Sequence, residues 1–400
     1  MMADKKRCIL AFSGGLDTSF CALWLADQGY EVITVTVDTG TFEKGEAEKV
    51  AARARELGAA KHITFDGRQK FFDTVLVNLI RGNVLRGGVY PLCVGAERVV
   101  QAIEIAKIAG VENVTAIAHG STGAGNDQLR FDVAVRVLAP GVELITPIRA
   151  GNIQRADSTK YLTERGHTVP NKTTSYSINR GMWGITIGGV ETHDSWLPLP
   201  DDAYVFTRNL NDTPDAPEEI TIGFETGIPV SLNGKKMNGV ELVETIGELG
   251  AKHGIGRGMH VGTTVMNIKG RVAFEAPAPA ILIPAHRELE KLVLTKLQSQ
   301  LNAQMGETYG THLHEGRFLD PAMRDIEKFL ETNQQNVTGE VRVRLHKATA
   351  FVLGARSEFS LLGRGGTYGE SSGQYSGADA AGYCKVAGLE MAAAHLARAK

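Results

Sequence analysis

Apolar runs and helical patterns alternate along the first 170 residues of the chain. Short runs rich in β-branched and other apolar residues predict strands at residues 8–12, 31–37, 62–65, 114–118 and 142–146. The stretches between them predict helices at residues 46–57 and 96–109, which end beside Gly58 and Gly110. Strands that alternate with helices through short connections favour a Rossmann-like α/β fold with a doubly wound parallel sheet. Ligands bind such sheets at the carboxyl ends of the strands.

The pattern changes after residue 170. Residues 171–217 show little periodicity and are rich in Gly, Pro, Asn and Asp, so we expect a functional or interface segment and no part of a core. A second, α+β unit follows. Its predicted strands lie at residues 220–225, near 264–275 and in a hairpin around 341–353, and its predicted helices lie at 240–253, 285–301 and 321–332.

The chain is therefore expected to have three parts, at residues 1–170, 171–362 and 363–400. The last part begins with a glycine-rich arm at residues 363–377 and ends in an alanine-rich helix at residues 378–400. A terminal helix on such an arm often packs on a neighbouring subunit, so an oligomer is expected.

Composition narrows the classes of function. The chain has 400 residues, of which 43% are hydrophobic and 22% charged, and a formal net charge of −2, which argues against a nucleic-acid partner. Its four cysteines are scattered without a C-x-x-C pair, as expected for a reducing compartment and no metal site. With no membrane-length apolar run and no signal peptide pattern, a cytoplasmic protein without a membrane partner is expected.

The first motif is Ser13-Gly14-Gly15-Leu16-Asp17-Thr18-Ser19, between the first predicted strand and a helix. Its glycines let the backbone approach an anion, and free N–H groups and hydroxyls can bind phosphate oxygens. The lysine of the G-x-x-x-x-G-K-[ST] loop is absent. The alternative interpretation is a Gly/Ser-rich turn in which Asp17 caps the helix.

The second motif spans residues 119–131 and contains three glycines after a predicted strand. Thr122, Asn126 and Asp127 are short polar groups that can orient the carboxylate and ammonium of an amino acid, and Arg130 can hold a carboxylate bidentately. The alternative is a capped loop with a solvated arginine. Because this motif, the first motif and the turn at residues 38–40 all follow strands, we expect them to face one crevice.

The two motifs, together with Tyr176-Ser177, Lys269-Gly270-Arg271 and Phe274-Glu275-Ala276-Pro277, resemble the argininosuccinate synthase family over most of the chain. The resemblance implies a PP-loop domain, a synthetase/multimerisation domain, a C-terminal oligomerisation helix and a homotetramer. It also implies that the ureido oxygen of citrulline attacks Mg-ATP, which releases pyrophosphate and leaves a citrullyl-adenylate. Aspartate then displaces AMP, in arginine biosynthesis.

The resemblance also assigns roles to residues. ATP would contact Ala11, Phe12, Ser13, Gly14, Gly15, Leu16, Asp17, Thr18, Ser19, Val37 and Gly120. Aspartate would bind Thr122, Asn126 and Asp127, and citrulline would bind Tyr90, Asn126, Arg130, Ser177 and Thr186. Ser13, Asp17 and Asn126 would act in catalysis, while Mg²⁺ would be held mainly by the phosphates.

The chain departs from the family at the citrulline end. Gly95 replaces a common serine, Gly262 a glutamate that would bind the α-ammonium, Phe274 a tyrosine, and Ala124 a common lysine. Three interpretations remain open: a divergent subfamily with a rebuilt citrulline pocket in which a neighbouring carboxylate compensates, an N-acylated citrulline as the substrate, or a shift of the alignment near Gly262. The carboxylates that could replace the missing glutamate as partner of the ammonium are Glu97, Glu191 and Glu275.

Two further classes of function remain as alternatives. One is a PP-loop enzyme that adenylates a nucleic-acid base, which the balanced charge disfavours. The other is a non-catalytic nucleotide-binding paralogue whose citrulline pocket has decayed.

Three isolated residues and one short segment are also informative. His119 is expected to shape its loop, Cys93 to be a packed thiol and Trp183 to be an anchor in a core or interface. The segment His312-Leu313-His314-Glu315 has no further clustered ligand, so we expect a surface or interface segment and no metal site.

Overall fold

The computed structural model describes residues 6–40, 42–169, 176–371 and 373–399. A five-stranded parallel sheet is formed by β1 (Arg7–Ala11), β2 (Glu31–Asp38), β3 (Lys61–Asp66), β4 (Ala116–Ala118) and β5 (Glu143–Ile145). The strand order is β3-β2-β1-β4-β5, so the order reverses between β1 and β4. The predicted sheet is confirmed, and its switch point lies at the end of β1.

The same part of the chain contains helices, most of which cover both faces of this sheet. They are α1 (Leu16–Asp27), α2 (Glu46–Glu56), α3 (Arg68–Phe71), α4 (Val77–Arg81), α5 (Gly95–Val111), α6 (Asp127–Leu138), α7 (Pro147–Ala150) and α8 (Arg155–Thr163), with a π-helical turn at Phe72–Leu76. Side chains alternate along β1, so Leu10 packs with Phe20 on one face while Ile9 packs with Ile105 on the other. The doubly wound architecture follows from this alternation.

The rest of the chain contains two antiparallel sheets. Their strands are β6 (Ser177–Asn179), β7 (Ile185–Gly188), β8 (Glu218–Glu225), β9 (Ile228–Leu232), β10 (Lys235–Lys236), β11 (Arg257–Thr263), β12 (Lys269–Glu275), β13 (Gly339–His346) and β14 (Thr349–Arg356). One sheet has the order β11-β12-β7-β6 and the other the order β10-β9-β8-β13-β14. The smaller sheet carries much of the candidate site.

Helices pack around these sheets and extend from them. They are α9 (Gly239–Lys252), α10 (Pro277–Val293), α11 (Lys296–His314), α12 (Pro321–Asn333), α13 (Gly377–Ala387) and α14 (Leu389–Arg398), with 3-10 turns at Val190–His193, Asp201–Ala203 and Leu210–Asp212. The largest hydrophobic core joins residues of α4 and α5 to residues of β8, α9, α10 and β13. Segments from both halves of the chain therefore build one core beside the site.

The segment at residues 176–217 is more ordered than its composition predicts. It supplies β6 and β7, and Trp183 between them is fully buried and donates its indole N–H to the Pro91 carbonyl at 2.9 Å. The expectation that residues 171–217 lie outside a core is wrong for this part, because an aromatic anchor outweighs the weak periodicity. Residues 171–175 lie outside the described ranges.

Two predicted helices are each divided in the structure. The prediction of one helix at residues 285–301 is wrong, because α10 begins at Pro277 and ends before Leu294, which is extended. Thr295 then caps the start of α11 through a capping box with Gln298. The terminal helix is likewise divided into α13 and α14 at Gly388, a residue of poor helix propensity.

The terminal helices contain no buried residue among those described. They expose Tyr383, Val386, Leu389, Met391 and Leu396. Within the described ranges, no helix is both long enough and apolar enough to cross a bilayer.

Candidate active site at the switch point of the sheet

The phosphate loop connects β1 to α1 at the switch point. Gly14 has φ +74°, a left-handed conformation that favours glycine, and Gly15 occupies the N-cap of α1 without a side-chain hydrogen bond. The alternative in which Asp17 caps the helix is therefore wrong, since Asp17 lies inside the first turn. The first backbone N–H groups of α1 have no side-chain cap and are oriented for an anion.

Hydroxyl groups complete this loop through long hydrogen bonds. The Thr18 hydroxyl accepts from the Ser13 N–H at 3.4 Å and donates to the Gly15 carbonyl at 3.3 Å. The Ser19 hydroxyl donates to the Gly14 carbonyl at 3.5 Å. Bonds of this length are weak, so phosphate oxygens can replace them at little cost.

Asp17 lies beside these hydroxyls in a half-buried position. Burial raises the pKa of its carboxyl, and the charge of Arg155 opposes that rise. The structure thus places one carboxylate at the phosphate loop.

Two other predicted nucleotide contacts lie at the same edge. A Cβ at Gly120 would lie 3.4 Å from the Asp17 carbonyl carbon and the Thr18 methyl, so the loop after β4 packs directly on the start of α1. Val37 lies near the end of β2, two residues beyond Val35, which is the last residue of β2 that pairs with β1. The loops after β1 and β4 therefore line one crevice.

The loop after β4 is held by its own helix. His119 uses both ring nitrogens, since Nδ1 accepts from the Ser121 N–H at 3.2 Å and Nε2 lies 2.9 Å from Asp132 Oδ1. Gln128 of α6 donates its amide to the carbonyls of Gly123 and Gly125. The prediction that His119 shapes the loop is confirmed.

Asn126 and Asp127 lie where this loop meets the second half of the chain. The Asn126 side-chain oxygen accepts from the Val265 N–H at 3.1 Å. Asp127 lies between Arg98 at 3.2 Å and Arg130 at 2.7 Å. Burial would raise the pKa of Asp127, but the charges of the two arginines outweigh it and hold that pKa below its usual value.

A cavity of about 320 Å³ opens next to Asn126 and Asp127. It is lined by Arg86, Tyr90, Leu92, Cys93, Val94, Gly95, Ala96, Asn126, Asp127, Arg130, Asn179, Thr186, His260, Gly262, Thr263, Thr264, Gly270, Arg271, Val272 and His314. The volume suits an amino-acid side chain with its α-substituents.

The structure brings most predicted citrulline contacts together. Tyr90, Asn126, Arg130 and Thr186 line the cavity, whereas Ser177 does not, although it shares a face of β6 with the lining residue Asn179. Thr122 is exposed outside the cavity. The predicted site thus divides into a phosphate loop, an outer loop and a cavity.

Two arginines and His314 form the polar wall of the cavity. Arg86 donates to His314 Nε2 at 2.6 Å and to the Thr263 carbonyl at 2.7 Å, while Arg130 donates to the His314 carbonyl at 3.0 Å. Burial and the charges of Arg130 and Arg86 lower the pKa of His314 to about 3, so its ring is neutral and accepts from Arg86.

Residues 312–315 are expected at a surface or an interface, and the surface alternative is wrong for His314. The end of α11, where His314 lies, is buried against the cavity.

The opposite wall is aromatic. The His260 ring stacks on Tyr90, with centroids 5.3 Å apart and an interplanar angle of 12°, and Phe274 packs on Tyr90 at 5.3 Å. His260 is 8% exposed, and its Nε2 has no hydrogen-bond partner within the described part of the chain. Burial and the charge of Arg86 lower the pKa of His260.

The two glycines that replace larger family residues lie against these walls. A Cβ at Gly262 would come 2.5 Å from His260 Nε2, and a Cβ at Gly95 would come 3.0 Å from the Arg130 guanidinium. β11 pairs regularly with β12 through Gly262 and Gly270, so Gly262 faces the cavity in a fixed register. His260 and Arg130 occupy the space that side chains at these positions need.

None of the three carboxylates proposed as compensation lines the cavity. Glu97 is buried and accepts from the Thr39 hydroxyl at 3.2 Å. Glu191 accepts from the Tyr176 hydroxyl at 3.1 Å.

Glu275 is buried as well. It accepts from the N–H groups of Val205, Phe206 and Thr207 at 2.7 to 3.2 Å. The interpretation in which one of these carboxylates compensates at the cavity is therefore wrong for this conformation.

Sequence reasoning missed Arg86, Asn179, His260 and His314 as lining residues. His314 lies in a segment that was singled out, and His260 precedes Gly262 by two positions on a strand, where both share a face. Arg86 carries no signal of its own in the sequence. Cys93 is a buried thiol, as expected, and burial raises its pKa well above the usual value.

Comparison with known proteins agrees with this geometry. The profile of the arginosuccinate synthase N-terminal HUP domain matches residues 7–168, and that of the arginosuccinate synthase C-terminal domain matches residues 176–394. An argininosuccinate synthase of Methanocaldococcus jannaschii is 37% identical over 362 residues, which cover 90% of this chain and 91% of that protein.

Two bacterial relatives are similar to the same extent. The argininosuccinate synthase of Bacillus thuringiensis subsp. konkukian is 36% identical over 393 residues, or 96% of each chain. That of Bacillus cytotoxicus is 37% identical over 359 residues, which cover 90% of this chain and 89% of that protein. The chain belongs to the argininosuccinate synthase family, ATP-using ligases whose known reaction joins citrulline to aspartate in arginine biosynthesis.

Proposed function

We propose that this chain carries out the family's ligation at the crevice between β1 and β4, with the phosphate loop holding ATP and the cavity holding the ureido substrate. The observation that carries the proposal is the contact of Gly120 with Asp17 and Thr18, which joins the two loops. Asn126 lies on the second loop and also lines the cavity. The phosphate loop, the loop after β4 and the cavity therefore adjoin one another.

The nucleotide is held mainly by backbone groups. Residues 11–19 bind the β- and γ-phosphates through the N–H groups of the α1 start and the hydroxyls of Ser13, Thr18 and Ser19. The backbone of Val37 and Gly120 contacts the nucleoside end. Because the backbone groups are fixed before ATP binds, and the hydroxyls exchange only weak bonds, they stabilise charge on the leaving pyrophosphate with little reorganisation.

In the first step the ureido oxygen attacks the α-phosphorus. A bond forms between this oxygen and phosphorus, and the bond to the β-phosphate oxygen breaks with its electron pair, so pyrophosphate leaves. Ser13 and Asp17 act at the phosphate loop in this step. Positioning supplies most of the acceleration, since the reaction needs no covalent intermediate with the protein.

In the second step the amine of aspartate attacks the activated ureido carbon. The carbon–oxygen bond to AMP breaks, AMP takes the electron pair, and the nitrogen loses a proton to solvent. Thr122 and Asp127 hold aspartate on the loop after β4. Asn126 can donate its amide to either substrate, since its oxygen is already bound to the Val265 N–H.

The cavity binds the other amino acid. Arg130 holds its carboxylate, Tyr90 and Thr186 line the chain toward the ureido group, and Ser177 contributes at the mouth. Arg130 is suited to this role because it is 5% exposed and its Nε has no partner among the described residues.

Mg²⁺ enters as part of the Mg-ATP substrate. Among the described residues there is no group of three or more His, Cys, Asp and Glu side chains arranged to hold a metal ion. Asp17, the half-buried carboxylate at the phosphate loop, fits a single contact to a phosphate-bound ion. The ion neutralises charge on the departing pyrophosphate.

The proposed assembly is a homotetramer in the cytoplasm. The apolar side chains that α13 and α14 expose are suited to packing on a neighbouring subunit. Sedimentation of the full chain and of a chain ending at residue 362 tests this, because a truncated chain that remains a tetramer would contradict the role of these helices.

The reaction itself is tested by release of AMP and pyrophosphate. Purified full-length protein with Mg-ATP and aspartate is offered a ureido amino acid, and the ligated product is identified by mass. We expect AMP release that depends on both amino acids. No AMP with citrulline, N-acetylcitrulline or N-succinylcitrulline would overturn the proposal, and AMP release that requires RNA would favour an enzyme that adenylates a nucleic-acid base.

A further inference from the structure

The charges at the cavity are unbalanced. Arg86, Arg130 and Arg271 line it, and Arg98 contacts Asp127, so four cations surround a cavity whose lining contains a single carboxylate. Arg86 donates only to the neutral His314 ring and a carbonyl oxygen, and it forms no salt bridge within the described ranges. The cavity is therefore complementary to an anion that carries more than one negative charge.

The cavity offers no free carboxylate to an ammonium group. Asp127 is the one acidic residue among the lining residues; Arg98 and Arg130 bind it, and the function proposed above assigns it to the aspartate substrate. A buried ammonium without a carboxylate or several acceptors is costly. A free α-amino acid, whose ammonium accompanies its carboxylate into the cavity, is poorly matched to this site.

His260 occupies the place where such a carboxylate would have to stand. The ring is fixed by stacking on Tyr90, and a Cβ at Gly262 would lie 2.5 Å from its Nε2. That nitrogen is buried and has no partner within the described residues, so it is a polar group that a bound ligand would have to satisfy. An amide group can satisfy it as donor or as acceptor, whereas an ammonium can only donate.

We propose, resting on the function proposed above, that the cavity takes an α-N-acylated citrulline whose acyl group ends in a carboxylate. Acylation removes the ammonium charge and places an amide beside His260. The α-carboxylate binds Arg130, and the acyl carboxylate binds Arg86. The ligand then carries two negative charges, and its size fits a cavity of about 320 Å³.

The chemistry at the ureido group is unchanged by this substrate. The ureido oxygen still displaces pyrophosphate, and the aspartate amine still displaces AMP. The acyl amide bond neither forms nor breaks, and the product is an N-acylated argininosuccinate. A preceding reaction must therefore supply a citrulline that is acylated on its α-nitrogen, and a later enzyme must remove the acyl group.

The test compares three substrates on the full-length chain. With Mg-ATP and aspartate held constant, kcat/KM is measured for citrulline, N-acetylcitrulline and N-succinylcitrulline. Because the acylated substrates have no unpaired ammonium, we expect kcat/KM for N-succinylcitrulline to exceed that for citrulline by about 30-fold or more. The value for N-acetylcitrulline should lie between the two. An equal or higher kcat/KM for citrulline would overturn the inference while leaving the proposed function intact.

A second test asks whether Arg86 binds the acyl carboxylate. Arg86→Gln keeps a hydrogen-bond donor but removes the charge, so we expect KM for N-succinylcitrulline to rise about tenfold while that for N-acetylcitrulline changes little. The ratio between the two substrates is measured within one variant, so a loss of stability cancels. Arg342→Gln, at an exposed position on β13, is the matched control. An equal loss for both acylated substrates would contradict the assignment.

Discussion

The phosphate loop and the cavity are built in different ways. The loop lies at the open end of β1, where backbone amides at an uncapped helix start and weakly bound hydroxyls await an anion. The cavity is closed by side chains from segments far apart in the chain, such as Arg86 and His314, which are 228 positions apart. The loop depends on local backbone conformation, and the cavity depends on tertiary packing.

This difference separates two properties of the enzyme. The loop handles phosphates that every substrate shares, so changes there alter the rate with all ureido substrates together. The cavity contacts the part of the substrate that varies, so changes there alter the preference among substrates. Each prediction below tests whether the two regions can be changed independently.

The largest effect is expected from Thr18→Val. Valine keeps the shape of threonine but removes the hydroxyl that accepts from the Ser13 N–H and donates to the Gly15 carbonyl. We expect kcat/KM to fall about 100-fold with every ureido substrate, as for the loss of one donor to developing charge. Steady-state AMP release measures this fall.

The matched control for this variant is Thr308→Val on α11, where the partly exposed threonine also donates its hydroxyl to a backbone carbonyl. Its kcat/KM is expected to stay within about twofold of the parent, as for a surface substitution. If Thr18→Val instead changed the preference between substrates, the loop and the cavity would not be independent.

The second effect concerns the cavity. Gly262→Glu alone places a Cβ against His260, so the double variant His260→Ala, Gly262→Glu first removes the ring and then adds a carboxylate. We expect kcat/KM for citrulline relative to N-succinylcitrulline to rise about 30-fold, because the new carboxylate pairs with the ammonium and repels the acyl carboxylate.

His260→Ala alone serves as the control for this change. It removes the partner of the acyl amide but supplies no carboxylate. The ratio of kcat/KM for citrulline to that for N-succinylcitrulline should therefore change much less than in the double variant. An equal shift in the two variants would mean that the added carboxylate does not reach the substrate.

The contrast between the phosphate loop and the cavity also explains which features could be predicted from the sequence. The phosphate loop, the loop after β4 and the parallel sheet are local patterns of glycines, hydroxyls and apolar runs, and these predictions agree with the structure. The break between α10 and α11 could also be predicted from the sequence, since Thr295 and Gln298 have the spacing of a capping box. It was missed because the helical periodicity continues across it.

The cavity wall could not be predicted in this way. The neutral state of His314 depends on burial beside Arg86 and Arg130, and no local pattern brings these residues together. The pair of His260 and Gly262 was partly accessible, since alternate residues of a strand share a face. That the ring fills the space over Gly262 follows only from its stacking on Tyr90.

A smaller effect is expected at a buried carboxyl outside both regions. Glu97 is buried, accepts from Thr39 at the end of β2, and packs against Gly181 in the segment that leads to β7. Burial raises its pKa from 4.5 to about 8, with Arg98 and Thr39 opposing the rise. In the folded protein this carboxyl therefore holds a proton that the unfolded chain loses at lower pH.

The sign of the resulting pH dependence follows from linkage. Between pH 4.5 and about 8 the folded state binds more protons at Glu97 than the unfolded state, so the free energy of unfolding falls as pH rises. The slope from one such group is at most about 1.4 kcal/mol per pH unit. Glu97→Gln should flatten this slope in urea unfolding between pH 5 and about 8.

Glu48→Gln, an exposed position on α2, is the control and should leave the slope unchanged. A slope that survives in Glu97→Gln would show that other groups, and not this carboxyl, carry the pH dependence. Because Glu97 does not line the cavity, Glu97→Gln should affect kcat/KM at a single pH less than it affects the free energy of unfolding.

The smallest effect is expected at Ser177. It shares a face of β6 with Asn179, but only Asn179 lines the cavity, so Ser177→Ala should raise KM for the ureido substrate less than about threefold while Asn179→Ala raises it about tenfold. Both residues lie on one short strand, so damage to the strand would affect both variants equally. A larger effect at Ser177 would mean that the substrate extends along β6 beyond the cavity, and the outer boundary of the site would then lie on this strand.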